Sequence, residues 1–312
     1  MNSNEIVLSS NNQHTLGAKV SCSGVGLHTG ENVNITLHPA QVNSGIIFTR
    51  VINNKKISIK ALTKNVVETN LCTSLGNKDG VIVSTVEHLM SALLGCGVDN
   101  AIIEVEGPEV PIMDGSAYPF VTLIECVGVV PQNADRHLIR ILKPISVKNL
   151  NASISLIPNN SDDLEINFVI KYENTFINIQ NFNFSFLNHD FRLLISNSRT
   201  YGFESEVASL QKAGFAKGGS LDNAVVISSN GVLNKDGLRH NDEFVRHKIL
   251  DLLGDLYLSG FRIAGSVYAE CSGHSMTNKL LNTMISQSDS WSKELMVKNI
   301  PNWDYQKIAA SA

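Results

Sequence analysis

Residues 151–170, NASISLIPNNSDDLEINFVI, repeat the pattern of residues 32–50, NVNITLHPAQVNSGIIFTR. Ile154, Leu156 and Pro158 fall where Ile35, Leu37 and Pro39 fall. Each copy alternates apolar and polar residues, as a strand with one buried face requires, and each ends at a proline that cannot donate to a continuing ladder. The echo implies two copies of one βα unit. A chain of 312 residues is also longer than the roughly 100–150 residues of a common domain. We therefore expect an α+β protein of two similar domains, each a mainly antiparallel sheet layered with helices.

Around the first copy, HTLGAKVSCSGVGLHTGENV and GIIFTRV read as antiparallel ribbon, with a turn near Asn43–Gly45 and a shorter strand in KISIKA. VSTVEHLMSALLGCGVDN then changes period. Val86, Leu89, Met90, Leu93 and Leu94 make a helical stripe, Ser84 and Glu87 have capping-box spacing, and Gly95 or Gly97 offers a left-handed exit. The strand AIIEVEG follows. GVVPQNADR, residues 128–136, is the expected linker between a first domain over 1–127 and a second over 137–312. Beyond the second copy come a helix near Glu204–Ala213, a strand NAVVIS, a helix opened by Asn241 or Asp242 and closed by Gly260, and a strand RIAGSVYAE. His274 is expected in a loop just ahead of a final helix.

The helix EFVRHKILDLLGDLYLSG, Glu243–Gly260, carries the chemistry. Phe244, Ile249, Leu252, Leu253 and Leu256 form a core stripe, and His247, Asp251 and Asp255 form a second stripe beside it. His247 and Asp251, one turn apart, can face a single metal ion. A catalytic zinc commonly takes three protein ligands, and His88 is the candidate third, with Glu87 beside it as a proton acceptor. The plain alternatives are a packed histidine, a solvated acidic face paired with Arg246 or Lys248, and a Glu87 that only caps its helix. His240 and His274, read as loop residues near the same helix, have the near-neutral pKa of a general acid.

Apolar content of 43% with 17% charged residues describes a folded globular protein. The net charge of −4, without a basic block, argues against a nucleic-acid partner. No apolar run reaches the roughly 20 residues of a membrane span, and MNSNEIVLSSNNQH does not read as a secretory signal, so a cytoplasmic protein is expected. Cys22, Cys72, Cys96, Cys126 and Cys271 lack CxxC spacing and read as free thiols, with Cys96 and Cys126 as small buried hydrophobes. The glycines of KAGFAKGGS match neither nucleotide-loop spacing, and no GxSxG elbow is present.

Seven blocks, GVGLHTG, STVEHLMSAL, PIMDGSAYPF, SRTYGFE, GGSLDNAVV, GLRHNDEFVRHKILDLLGDL and SGHSMTNKLL, resemble the zinc-dependent UDP-3-O-acyl-N-acetylglucosamine deacetylases of lipid A biosynthesis. The likeness runs from about residue 14 to residue 282. It implies a β-α-α-β sandwich with the active site between the domains. It also implies Zn2+ on His88, His247 and Asp251, Glu87 as base, His274 as acid or positive stabiliser, and Asp255 as its orienting partner. Thr200 falls on the oxyanion-stabilising threonine, Lys248 on the active-site lysine, and His28 on a loop histidine near the site. Tyr201 stands where the family can carry phenylalanine.

An insert around 202–220 is implied to form an apolar passage for the hydroxyacyl chain of an acylated UDP-amino-sugar, lined by Phe203, Val207, Leu210, Phe215 and Ala216. Ala216 replaces a cysteine of some members, which bears on chain length rather than on the reaction. Lys143, Lys148 and Lys248 are the candidate donors to the diphosphate. A monomer with at most transient peripheral contact with a membrane is expected. Two rival readings are a zinc hydrolase acting on another acylated amine and a non-catalytic two-domain scaffold.

Overall fold

A computed structural model of the chain describes residues 11–52, 55–172 and 175–296. The first half opens with β1 (Asn12–Leu16), β2 (Val20–Val25), β3 (Asn32–Pro39), β4 (Ile46–Ile52) and β5 (Lys55–Lys60). Three short strands follow, β6 (Val66–Glu68), β7 (Ser74–Gly76) and β8 (Ile82–Val83), then helix α1 (Glu87–Gly95), β9 (Ala101–Glu106) and helix α2 (Tyr118–Val127). The second half contains β10 (Val129–Asp135), β11 (His137–Ile141), β12 (Ile145–Lys148), β13 (Ser153–Ile157), β14 (Leu164–Tyr172) and β15 (Asn178–Ser185). After these come β16 (Tyr201–Phe203), α3 (Glu204–Lys212), β17 (Val225–Ser228), β18 (Gly231–Val232), α4 (Glu243–Leu256), β19 (Arg262–Glu270), α5 (His274–Ser286) and β20 (Trp291–Leu295). The architecture is α+β, as expected.

The repeat read from the sequence is a repeat of topology. The first sheet runs β2-β3-β9-β4-β5, with β9 antiparallel to β3 and parallel to β4. The second runs β12-β13-β19-β14-β15, with β19 antiparallel to β13 and parallel to β14. β11 and β20 extend this second sheet. Alternation explains the matched faces: Val33, Ile35 and Leu37 are buried in one copy, and Ile154 and Leu156 in the other. In both copies a helix precedes the central strand and another follows it. Helices α1 and α4 pack directly on each other, and α4 packs in turn on α5.

Several local expectations are corrected. The stretch expected as a linker is a strand, β10, paired antiparallel with β1. The Ser84–Glu87 capping box does not form. Helix α1 starts from Val86 with no side-chain cap, and the Ser84 hydroxyl accepts from Ser74 instead. Asp242 precedes α4 without capping it, because its carboxylate is taken by Arg246, at 2.6 Å. Gly97 does supply the left-handed exit after α1, at φ +78°. Gly260 is left-handed too, but it follows a short 3-10 turn, Tyr257–Ser259, that extends α4. His274 is the first residue of α5 rather than a loop residue. All five cysteines are free, and Cys126 is exposed where burial was expected. Met1–Ser10, most of the stretch tested for a secretory signal, lie outside the described residues, as do residues 297–312 of the second domain. Among the described residues no helix is long and apolar enough to cross a membrane.

Candidate metal centre

The site is built where α1 crosses α4. Gly254 lies between Asp251 and Asp255 on α4, and a Cβ there would stand 2.0 Å from the carbonyl oxygen of Glu87. Two helices normally pack with their axes about 8–10 Å apart, held off by side chains. Here a backbone-to-backbone contact sets the first turn of α1 directly against the polar stripe of α4. Glu87, His88, His247, Asp251 and Asp255 are all buried.

Three donors converge at this crossing. Nε2 of His88 lies 3.4 Å from Oδ1 of Asp251, and Nε2 of His247 lies 3.3 Å from the same oxygen. The two imidazole rings are 5.0 Å apart and nearly perpendicular. All three donor atoms lie within 4.8 Å of one another, so they could hold one metal ion. Nδ1 of His247 donates to the carbonyl oxygen of Ser198 at 3.0 Å, which leaves the lone pair on the inward Nε2. Burial lowers the His247 imidazole to about 4, so it is neutral, as a ligand must be. Burial opposes ionisation of Asp251, yet His247 and Lys248 outweigh it and hold the carboxyl well below its ordinary range. Nζ of Lys248 donates to Oδ2 of Asp251 at 2.9 Å. Two imidazole nitrogens and one carboxylate oxygen are a donor set that suits zinc.

A second group borders the first. His274 Nδ1 donates to Oδ2 of Asp255 at 2.8 Å, and its Nε2 lies 3.8 Å from Oε1 of Glu87. Burial and the positive end of α5 both disfavour a cation here. Against that burial, Asp255 foremost and Glu87 after it push the imidazole up to about 9, so it is an imidazolium at neutral pH. Burial raises the Glu87 carboxyl, with His274 and His88 opposing.

Thr200 is half-buried on the segment that carries Ser198, and backbone bonds to Gly115 and Val225 hold it. Tyr201 packs edge-on against Phe244 and His247, and its hydroxyl meets that of Tyr172 at 3.2 Å. Lys248 lies over the Tyr201 ring at 5.7 Å. The His28 loop is tied down by the buried carboxylate of Glu109, which accepts from the backbone of His28 and Thr29 and from the hydroxyls of Thr29 and Thr85. Backbone amides of Lys217 and Gly218 donate to His28 and Leu27, and the ring of Phe215 meets His28 edge-on at 5.4 Å.

The insert itself has an apolar but uncovered face. No residue of α3 is buried, and Phe203, Val207, Leu210, Phe215 and Ala216 are all half-buried. Phe203 packs against the main core, whereas Val207, Leu210, Phe215 and Ala216 lie outside it. His240 contacts Asn197 at 2.8 Å and has no described contact with the donor cluster. Lys143 pairs with Asp289 on the exposed surface, and Lys148 is exposed on β12 opposite Ser153. Neither has a described contact with the cluster. Thr73 was not singled out in the sequence. Its amide donates to Oε2 of Glu87 at 3.1 Å and its hydroxyl to Oδ1 of Asp255 at 2.6 Å. A lone threonine between short strands carries no periodic signal that would have marked it.

A divalent-metal donor set flanked by a buried carboxylate and an imidazolium is equipment for adding water across a polarised bond. Fold and site together place the chain among metal-dependent hydrolases. A family model for UDP-3-O-acyl N-acetylglycosamine deacetylase matches residues 13–286, and the chain belongs to that family. It is 48% identical over 281 residues to the UDP-3-O-acyl-N-acetylglucosamine deacetylase of Saccharophagus degradans, covering 89% of this chain and 92% of that protein. Over the same length and shares it is 46% identical to the enzyme of that name from Colwellia psychrerythraea and 44% to that from Histophilus somni.

Proposed function

We propose that this chain hydrolyses the 2-acetamido group of UDP-3-O-(hydroxyacyl)-N-acetylglucosamine, releasing acetate and the free amine, with one Zn2+ held by His88, His247 and Asp251. The observation that carries this reading is the convergence of one donor from the first half and two from the second, with their atoms within 4.8 Å of one another. Bound there, zinc supplies Lewis acidity toward the amide oxygen and lowers the pKa of water.

The chain's own residues do the rest. Glu87, whose carboxyl is raised by burial, takes the proton of the attacking water. The Thr200 hydroxyl and Lys248 stabilise the negative charge that develops on the acetamide oxygen as the water oxygen bonds to the acetamide carbon. When the C–N bond breaks, the sugar nitrogen leaves as an amine after receiving a proton. His274, charged at neutral pH, is placed to give it or to stabilise Glu87 as Glu87 returns it. Asp255 fixes the His274 ring through Nδ1.

The two halves meet as a β-α-α-β sandwich in this reading, with the reaction between them. The half-buried apolar face of the insert takes the acyl chain, and the first domain over 1–127 and second over 137–312 flank β10. Tyr201 and His28 border the substrate, and with Lys248 engaged at Asp251 beside the reacting amide, the surface lysines Lys143 and Lys148 are left as the candidate donors to the diphosphate. The protein works as a cytoplasmic monomer that meets membranes only peripherally. A deacetylation time course with and without a chelator, followed by zinc restoration, tests the reading. Activity should vanish with the metal and return with it, alongside one zinc per chain. Activity that ignored a confirmed removal of metal would overturn it, and activity on a deacylated nucleotide sugar equal to that on the acylated one would reassign the substrate.

A further inference from the structure

Two carboxylates, Glu87 on α1 and Asp255 on α4, are buried next to each other, and two groups bridge them. On one side is His274, whose Nδ1 lies 2.8 Å from Oδ2 of Asp255 and whose Nε2 lies 3.8 Å from Oε1 of Glu87. On the other is Thr73, 2% exposed, whose hydroxyl donates to Oδ1 of Asp255 and whose amide donates to Oε2 of Glu87. The four residues close a ring in which each carboxylate uses one oxygen for the imidazole and the other for the threonine. The carbonyl of Thr73 also accepts from the amide of Val86, the residue before α1, so the same peptide clasps the start of the helix. The chain is bent hard to bring this about. Leu71 and Thr85, on either side, take φ of +65° and +57°, a region that a β-branched residue such as Thr85 seldom enters.

We propose that Thr73 is a positioning residue for the deacetylation, acting through Asp255 to hold the His274 ring in register with Glu87. Two buried carboxylates repel each other, and a carboxylate with one donor is free to turn about its last bond. The Thr73 hydroxyl removes that freedom from Asp255, and the Thr73 amide does so for Glu87. The base and the imidazolium are thereby held at one separation before substrate arrives. The proposal rests on the reading of Glu87 and His274 as the proton-handling pair.

Thr73→Val removes the hydroxyl while keeping the shape and the backbone, and Thr73→Ser restores the hydroxyl. The valine variant should lose about 10- to 100-fold in kcat, the usual scale for groups that orient ligating or catalytic side chains. Its KM should stay within about threefold, and the serine variant should regain kcat to within about threefold, because only a transition-state interaction is touched. Both should bind one zinc per chain. In an Asp255→Ala background, Thr73→Val should cost less than about twofold more, since groups acting through one another are not additive. Where valine is too crowded for the chain to fold, Thr73→Ala deletes the same hydroxyl and is read the same way. A hydroxyl-free variant with kcat within twofold of the parent, or one whose full loss persists without Asp255, overturns the proposal. Glu87→Gln and His274→Ala run in parallel separate the two levels. If these keep full turnover, the reading of the site fails. If they lose it and Thr73→Val does not, only the role of Thr73 fails.

Discussion

Helices α1 and α4 occupy the same place in the two copies of one sheet topology, yet they carry different duties. Helix α1 spans Glu87–Gly95, is buried throughout, and offers functional groups only from its first turn, Glu87 and His88. Helix α4 spans Glu243–Leu256 and offers His247, Asp251 and Asp255 from successive turns of one face. Duplication accounts for the scaffold and for the crossing, but not for the chemistry. Among the described residues neither copy alone assembles three donors, and the donor cluster forms where two unlike helices come into backbone contact at Gly254.

The comparison breaks most completely at Asp251, the one donor that both imidazoles face. Asp251→Ala should abolish measurable turnover and strip the metal, read together by activity and elemental analysis. Retention of one zinc per chain would show that the two histidines suffice. On the α1 side, Glu87→Gln should lower kcat by roughly a hundred- to ten-thousandfold, the range for a general base, while the zinc stays. Loss of zinc in that variant would mean that Glu87 holds metal rather than a proton.

Gly254→Ala attacks the crossing itself. In an ordinary helix interior this change gains about 1 kcal/mol. Here the new methyl would stand 2.0 Å from the Glu87 carbonyl, which is backbone and cannot rotate away. Overpacking of this kind costs about 1–3 kcal/mol and so reverses the sign. Because the helices are pushed apart beneath both functional groups, turnover should fall about a hundredfold, the scale for a displacement near 1 Å. Gly95→Ala, at the other end of α1, would press on the Phe191 side chain at 2.2 Å. It should lower the melting temperature without changing zinc affinity. Equal zinc affinities in the two variants would show that the crossing does not set the site.

Asp255→Asn sharpens the contrast more gently. Asp255 is the foremost group raising the His274 imidazole to about 9 against burial. Neutralising it should lower that pKa by about 1–3 units, so the basic limb of the kcat profile moves to lower pH. The same ionisation bears on folding. A histidine raised from 6.5 to about 9 lends stability that is complete below 6.5 and lost as pH climbs through 9. A basic limb that stayed in place would remove His274 from the reaction's proton inventory.

Much of this was legible in the sequence because period carries it. The 3.6-residue stripe of His247, Asp251 and Asp255 identified the polar face of α4, and Ile154–Leu156 against Ile35–Leu37 identified the duplicated strand. What lacked a period was missed or misread. Glu87 has the spacing of a capping residue, but Ser84 turned to Ser74, and the carboxylate was left for Thr73 and His274. The Gly-Pro-Asn composition of 128–136 reads as a connector, yet its partner β1 lies more than a hundred residues earlier, and no local pattern reports a pairing so distant. Cys126 sits in an apolar run, but only the buried face of α2, with Phe120, Val121 and Ile124, meets the core. The parallel pairing of β14 with β19 is likewise silent in an alternation that would suit either sense.

The insert gives the smallest expected effect and the most specific one. Leu210 is half-buried on a helix with no buried residue, so it stabilises little of the fold. Truncating a core leucine would cost stability, whereas truncating this one should leave the melting temperature nearly unchanged. If the uncovered apolar face receives the acyl chain, Leu210→Ala removes contact with that chain worth about 1 kcal/mol, or roughly fivefold in kcat/KM. The loss should shrink toward nothing as the acyl group of the substrate is shortened, because the three missing side-chain carbons cannot be felt by a chain that does not reach them. A fivefold loss that persisted with a short-chain substrate would place Leu210 beside the sugar or the reacting amide, and the passage would have to be sought on another face of the molecule.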